Sequence, residues 1–489
     1  LLRHCVRSTS SHIAVCDGEN NTKRTARLSE FITAPLPKWD VPSQWCTGGG
    51  MDIIGYLGNY LINNVINITS TSNMHVVVNI VSDDSQRDVD TSLALMRGMK
   101  KTLDANSTSS YSGLDQIHVN QQVFGHTSSG SGKTTCPSTH AIYHELSDQI
   151  SDRIVRLPPS DFHVQDVLDR IISLGVGLNE SILVDNNSSL YDRRCPGSMS
   201  LSMNLLEYIA EMALYSRASH VHPPFLPSAS DEDVYRMKYM KDYIRSTEGL
   251  DNKYAAKRGL ILAKSMLNAL LRVEPDDASR RTYQGDNRDS ITITVFVGHE
   301  SNVRQIATAI GLRWTMPSPY VYGSDDHIGK IVSIPPGSGI IFSSFPESDG
   351  DLSMSFVVPV NLIGTNTNTT NHQLVPIYTI DMTEPELAIR DDVAANATIS
   401  LKELKNRLEA TMTRYPDLRA CYDDAPIYLG LNDSHHITAV STSTTMILLV
   451  VMVAVNLIGC VVFMVIPCRS PKQKYEQLPL DNRPEVELC

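Results

Sequence analysis

The chain has 489 residues, with 42 lysines and arginines against 54 aspartates and glutamates, and a formal net charge of −12. That balance excludes a nucleic-acid-binding protein, which needs a basic face, and leaves few arginines for a local anion pocket. The length suits one large two-part unit or roughly two or three domains.

The chain opens on Leu1-Leu2, then Arg3-His4-Cys5-Val6-Arg7-Ser8-Thr9-Ser10, which reads as the end of a strand and the loop after it. Two arginines flanking one histidine suit a phosphoryl group. Guanidinium forks match its equatorial oxygens, and a neutral imidazole can attack phosphorus. Residues 76–81, Val-Val-Val-Asn-Ile-Val, form a β-branched run ending at Ser82-Asp83-Asp84. They predict a buried strand and then a loop that carries Arg87, a third fork.

Across 135–285 the pattern changes. Segments 203–217, 233–245 and 252–272 have helical spacing without strand-like runs between them, and predict an α-helical insertion. Glu211 either points from it into the cleft or occupies an exposed helix position. Residues 291–297, Ile-Thr-Ile-Thr-Val-Phe-Val, predict a second strand closed by Gly298, and His299-Glu300 follow. A helix is expected over 302–314, with Val303, Ile306, Ile310 and Leu312 apolar. Strand, glycine, site residues and helix is the order in which parallel α/β sheets present chemistry at strand carboxyl ends. A leaving alkoxide needs a proton; Glu300 is the candidate donor, and His299 a further donor to the phosphoryl oxygens. Further strands are expected at 339–343 and 352–360, and Ser400 to Glu403 is a capping box opening a helix with Leu401, Leu404 and Leu408 in one stripe.

Residues 446–466 are apolar except for Asn456, and as a helix would span about 31 Å, enough for a bilayer core. Arg469, Lys472 and Lys474 follow directly, which predicts a cytosolic tail over 467–489 and a luminal or extracellular ectodomain above a polar stem at 431–445. This is a single-pass type I arrangement. Asn-x-Ser/Thr sequons stand at Asn20, Asn67, Asn106, Asn179, Asn186, Asn187, Asn368, Asn396 and Asn432, all before the span, as in a glycosylated ectodomain. Such a topology needs a targeting signal, so the first strand and any leader are expected to precede Leu1. Of the ectodomain cysteines, Cys5, Cys16, Cys46, Cys136, Cys195 and Cys421, an oxidising compartment favours disulfides. Cys5 falls inside the candidate site and is expected free, which leaves an odd number of other cysteines and points to a partner lost from the N-terminus. Cys468 is a palmitoylation candidate. In the tail, Tyr475-Glu476-Gln477-Leu478 resembles a tyrosine-based sorting signal, with Tyr475 and Leu478 docking to a clathrin adaptor; cycling between cell surface and endosomal or lysosomal compartments is expected.

These motifs resemble the histidine acid phosphatases, whose opening motif is Arg-His-Gly-x-Arg-x-Pro. The resemblance covers essentially the whole ectodomain and is nearest to the membrane-bound acid phosphatases of flagellate protozoa. Thr47-Gly48-Gly49-Gly50 with 53–60 resembles the family's Thr-x-x-Gly segment and helix, 82–91 its third-arginine loop, and Ile334-Pro335-Pro336-Gly337-Ser338-Gly339 a late turn before a strand. The resemblance implies an α/β fold: a phosphoglycerate-mutase-like mixed sheet flanked by helices, at 1–134 and 286–430, with an α-helical cap inserted at 135–285. It implies a phosphomonoester substrate and no metal or cofactor. It makes His4 the nucleophile and Arg3, Arg7 and Arg87 the phosphate ligands, with Ser10 a further substrate-binding candidate and His299 and Glu300 completing the site. Cys5 replaces the motif glycine, Glu300 stands where most members have Asp, and the motif proline is missing from Ser8-Thr9-Ser10. These departures motivate a second reading, a catalytically weakened phosphatase fold serving as an endocytic receptor. Gly130-Ser131-Gly132-Lys133-Thr134 lacks the earlier glycine of a P-loop, since Thr127 stands there. His220, His222, His435 and His436 lack metal-ligand partners at suitable spacing and read as loop histidines.

Overall fold

The computed structural model describes residues 1–17, 22–66, 75–105, 110–124, 164–178, 201–249, 253–270, 290–320, 333–344, 351–360, 362–363, 372–379, 398–423 and 435–438. In chain order these form β1 (Leu2–Arg3), β2 (His12–Asp17), β3 (Thr22–Arg27), α1 (Gly48–Tyr60), β4 (His75–Ser82), α2 (Gln86–Ala105), β5 (Ser110–Ser112), β6 (Gln116–Val119), α3 (Val164–Ser173), α4 (Leu201–Ala218), α5 (Asp231–Gly249), α6 (Lys253–Leu270) and β7 (Ser290–Gly298). They continue with α7 (Glu300–Ile310), β8 (Leu312–Trp314), β9 (Gly339–Ser344), β10 (Asp351–Pro359), β11 (His372–Thr379), β12 (Thr398–Ser400), α8 (Leu401–Arg414), α9 (Arg419–Asp423) and β13 (His435–Thr438).

An eleven-stranded mixed sheet runs β13-β6-β4-β7-β1-β9-β10-β11-β8, with β5 beside β4 and β12 beside β10. β6, β4, β7 and β1 are mutually parallel, and from β9 onward the pairing is antiparallel. The register sets Val81 against Phe296, and Leu2 and Arg3 against Val297 and Gly298. The carboxyl ends of β1, β4 and β7 therefore lie side by side, and the loops after them carry His4, Asp83 and His299. One core joins β4 (Val76, Val78, Ile80) to α1 and α2 (Ile54, Leu57, Leu95, Met99). The other packs α4–α7 residues, including Ile209, Leu260 and Ile306, with Val81, Phe296 and Phe356. Strands buried on both faces explain why β4 and β7 read as continuous apolar runs.

Differences from expectation have local causes. The helix expected to reach 314 stops at Ile310, because Gly311 takes the left-handed conformation (φ 67°) that closes a helix. Leu312–Trp314 then form a strand on β11. Arg87 belongs to the first turn of α2 rather than to a loop. Part of the expected stem, His435–Thr438, pairs with β6 as β13, so His435 and His436 lie in a strand on the open sheet edge. Among the described residues no helix is long and apolar enough to cross a membrane. The expected span at 446–466, Cys468, Tyr475, Leu478 and all nine sequon asparagines lie outside the described residues. Between 164 and 270 the described elements are all helices, and residues 1–438 form one compact unit.

Candidate active site

His4 sits directly after β1. Its amide donates to the Gly298 carbonyl at 2.8 Å and its own carbonyl accepts from Gly337 at 3.2 Å, which fixes the backbone between β7 and the 334–339 turn. The imidazole is buried, and Nδ1 lies 2.8 Å from the Cys5 carbonyl. A carbonyl only accepts, so Nδ1 carries the proton and Nε2 keeps its lone pair. Burial lowers the pKa of His4 well below the usual value, and Arg87, His299, Arg3 and Arg7 push the same way. Sign follows directly: a lowered pKa keeps the ring neutral, and nucleophilic, far into acid.

The loop from His4 to Ser8 is strapped to the segment before α1. Thr47 donates its amide to Val6, Ser8 donates its amide to Trp45, and the Thr47 hydroxyl caps α1 by accepting from Gly50. A Cβ on Gly50 would come within 2.1 Å of the Val6 carbonyl, so this approach requires glycine. Cys5 is not free: it forms a buried disulfide with Cys46, with Cα atoms 5.8 Å apart. Cys16 and Cys421 are also disulfide-bonded. The side chain that replaces the motif glycine is thus one half of a cross-link to the segment before α1. Closing a loop across a sequence separation of 41 is worth about 4 kcal/mol on the chain-entropy scale. Cys46→Ala is expected to lower the unfolding free energy by about that amount. An unchanged denaturation midpoint would show that the bond is not formed in the protein.

The arginines are held partly by expected residues and partly by Tyr215 and Gln44, which sequence patterns do not single out. Arg3 is buried, lies 2.8 Å from Glu300 Oε2, donates to Tyr215 Oη at 2.7 Å and also donates to the Ile334 carbonyl. Arg7 meets Glu211 Oε2 at 3.0 Å. Glu211, left open between cleft and surface, is buried in the cleft and also binds Lys241 at 2.9 Å. Burial opposes its ionisation, but Lys241 and Arg7 outweigh it and hold Glu211 at about 2. The Nε atoms of Arg3 and Arg7 are buried and have no hydrogen-bond partner among the described residues. Arg87 Nη1 donates to Gln44 Oε1 at 2.9 Å, and its Nη2 and Nε lie 3.2 and 3.4 Å from His299 Nδ1. Burial and then Arg7 lower Arg87 to about 10, still cationic in acid.

His299 and His4 meet edge to face, with ring centroids 5.4 Å apart. The His299 amide donates to Asn302 Oδ1 at 2.7 Å, seating it at the start of α7. Nε2 lies 3.4 Å from Asp83 Oδ2 and 3.5 Å from Asp88 Oδ2. Glu300 and Ser10 both have further partners. Glu300 is bound by Arg3, by Lys241 at 3.1 Å and by Arg304 at 2.5 Å. Although burial opposes ionisation, these cations hold it well below the usual carboxylate range, so it carries no proton to donate in this state. The Ser10 hydroxyl accepts the His12 amide at 3.0 Å in the turn entering β2. The structure therefore brings Arg3, His4, Arg7, Arg87, His299 and Glu300 together, while the contact of Ser10 lies in the turn entering β2. Gln44, Tyr215, Lys241, Asp83 and Asp88 are the additions. Only Asp83 and Asp88 gave a signal, their closeness to Arg87 in sequence.

Buried guanidinium groups around a neutral, hydrogen-bonded imidazole define a phosphoryl-transfer pocket. Residues 1–358 match the profile of the histidine phosphatase superfamily (branch 2), and the chain belongs to that family. It is accordingly a phosphatase of the histidine acid class, a phosphoric monoester hydrolase. Its fold is similar to the phytase from Citrobacter braakii (TM-score 0.53, 17% identity, covering 85% of this chain and 97% of that one). It is likewise similar to the apo form of Hafnia alvei phytase (0.55, 15%, 86% and 96%) and to Klebsiella sp. ASR1 phytase (0.52, 14%, 88% and 96%). No curated protein sequence matches the chain significantly.

Proposed function

We propose that this chain hydrolyses phosphomonoesters through a phosphohistidine on His4. The reading is carried by one observation: His4 is held with its Nδ1–H on the Cys5 carbonyl among Arg3, Arg7 and Arg87. Nε2 attacks phosphorus and the P–O bond to the leaving group breaks. Water then attacks the phosphohistidine, releasing inorganic phosphate and restoring the neutral ring. The unfilled Nε–H donors of Arg3 and Arg7 favour an anion, since a buried donor without a partner costs about 1–3 kcal/mol. Glu300 becomes the acid only with substrate present: the dianion competes for Arg3 and repels the carboxylate, and both effects raise its pKa. Cys5 supports the enzymatic reading over the receptor one, because the disulfide reinforces the nucleophile loop. Membrane anchoring at 446–466, with Tyr475 and Leu478 directing passage through endosomes, completes the proposal and rests on the sequence patterns.

The test is turnover of an aryl phosphate by the purified full-length chain. Hydrolysis is expected to persist at about pH 5, where an ordinary imidazole is mostly protonated. Acid conditions also favour a donor that must hold its proton. Activity that collapses below about pH 6.5 would mean that the nucleophile titrates like a free histidine, against its buried setting. Release of the protein from membranes by alkaline carbonate would remove the anchor from this reading.

A further inference from the structure

We propose that Asp83 and Asp88 are positioning residues that fix His299 as its Nε2–H tautomer and, through that ring, hold Arg87 at the phosphoryl site. The proposal rests on Arg87 being a phosphate ligand.

The tautomer follows from Arg87. A guanidinium has donors only, and two of its nitrogens face His299 Nδ1 at 3.2 and 3.4 Å. Nδ1 must therefore be the acceptor, which places the ring proton on Nε2. Nε2 itself lies 3.4 Å from Asp83 Oδ2 and 3.5 Å from Asp88 Oδ2, on two fully buried carboxyl groups. Asp83 stands just past β4, while Asp88 and Arg87 are adjacent in the first turn of α2. One helical turn thus reaches both edges of the imidazole, with carboxylate on Nε2 and guanidinium on Nδ1. The Ser85 hydroxyl donates to Asp88 and keeps that carboxyl in place. Burial pushes Asp88 up to about 6.

The same three side chains have donor atoms within 4.8 Å of one another, a spacing that also suits a metal ion. The Arg87 contact argues against that occupant, because Nε2 bearing a proton has no lone pair for a metal. The arrangement is instead that of a histidine oriented by carboxylates on its far nitrogen. Loss of such an outer partner typically weakens a site by about 10–100-fold.

The test uses full-length protein labelled with ¹⁵N-histidine and titrated with inorganic phosphate. Two-bond proton–nitrogen spectra, with His299 assigned by its loss in His299→Gln, are expected to show a protonated Nε2 and a bare Nδ1. A protonated Nδ1 in the unaltered protein would overturn the proposal. Asp88→Asn is expected to mix the tautomers and weaken phosphate binding by about 10-fold. Arg87→Ala should weaken it similarly, and the double variant no further, because both changes remove the same contact. Additive losses would instead show that Asp88 acts independently of Arg87, and would also overturn it. If Asp88→Asn does not fold, the spectrum of the unaltered protein still decides. Neither readout needs turnover, so failure of the hydrolytic reading and failure of this one are separable.

Discussion

His4→Ala is expected to reduce hydrolysis of any phosphomonoester on the order of 10³-fold or more, since it removes the group that forms the covalent intermediate. Incubation with ³²P-labelled substrate and rapid quenching should trap an acid-labile phosphoenzyme in the unaltered chain and none in the variant. The substitution should spare the fold. The His4 ring makes its hydrogen bond to the neighbouring Cys5 carbonyl, while the long-range bonds at this position, to Gly298 and Gly337, belong to the backbone. Thermal melting therefore separates lost chemistry from lost structure. Label recovered on a residue other than His4 would refute the assignment, whatever the rate.

The parts of this site that could be read in the sequence are those that local pattern encodes. β4, β7, β9 and β10 stand out as β-branched or apolar runs, and α4, α5 and α6 as stretches of helical spacing. The β2–β3 hairpin did not, because Lys23, Arg24, Thr25 and Arg27 give it a polar strand in a separate two-stranded sheet. His4 and His299 are nearly three hundred residues apart, and complementary chemistry at two strand ends, together with the motif resemblance, links them in sequence; the parallel pairing of β1 with β7 is the physical cause. Pairing of Cys5 with Cys46 had no local signature, since it depends on where α1 begins relative to β1. The charged resting state of Glu300 is hard to read from sequence for a similar reason. Of the cations that hold it ionised against burial, Arg3 from β1 and Lys241 from α5 are far away in sequence, and only Arg304 is near. Tyr215 and Glu211 reach the arginines from α4, so the helical segment supplies part of the site's electrostatic frame.

Glu300→Gln is expected to have the second-largest effect, and a comparison of leaving groups shows why. An alkyl phosphate expels a strongly basic alkoxide and depends on a proton donor; an aryl phosphate expels a stable phenolate and depends on it far less. If Glu300 acquires its proton when the phosphoryl dianion engages Arg3, the variant should lose about 10²–10⁴-fold in kcat on alkyl phosphates and about 10-fold or less on aryl phosphates. The amide also leaves Arg3, Lys241 and Arg304 without a shared counter-charge, so the chain should be less stable by about 3–5 kcal/mol. Glu300→Asp separates these effects: it keeps both charge and acid on a side chain one methylene shorter, and should retain most stability while recovering part of the alkyl-phosphate rate. Equal losses on both substrate types in Glu300→Gln would mean that Glu300 serves only to orient Arg3. The proton would then reach the leaving oxygen from another source, and the substrate-triggered acid would have to be abandoned.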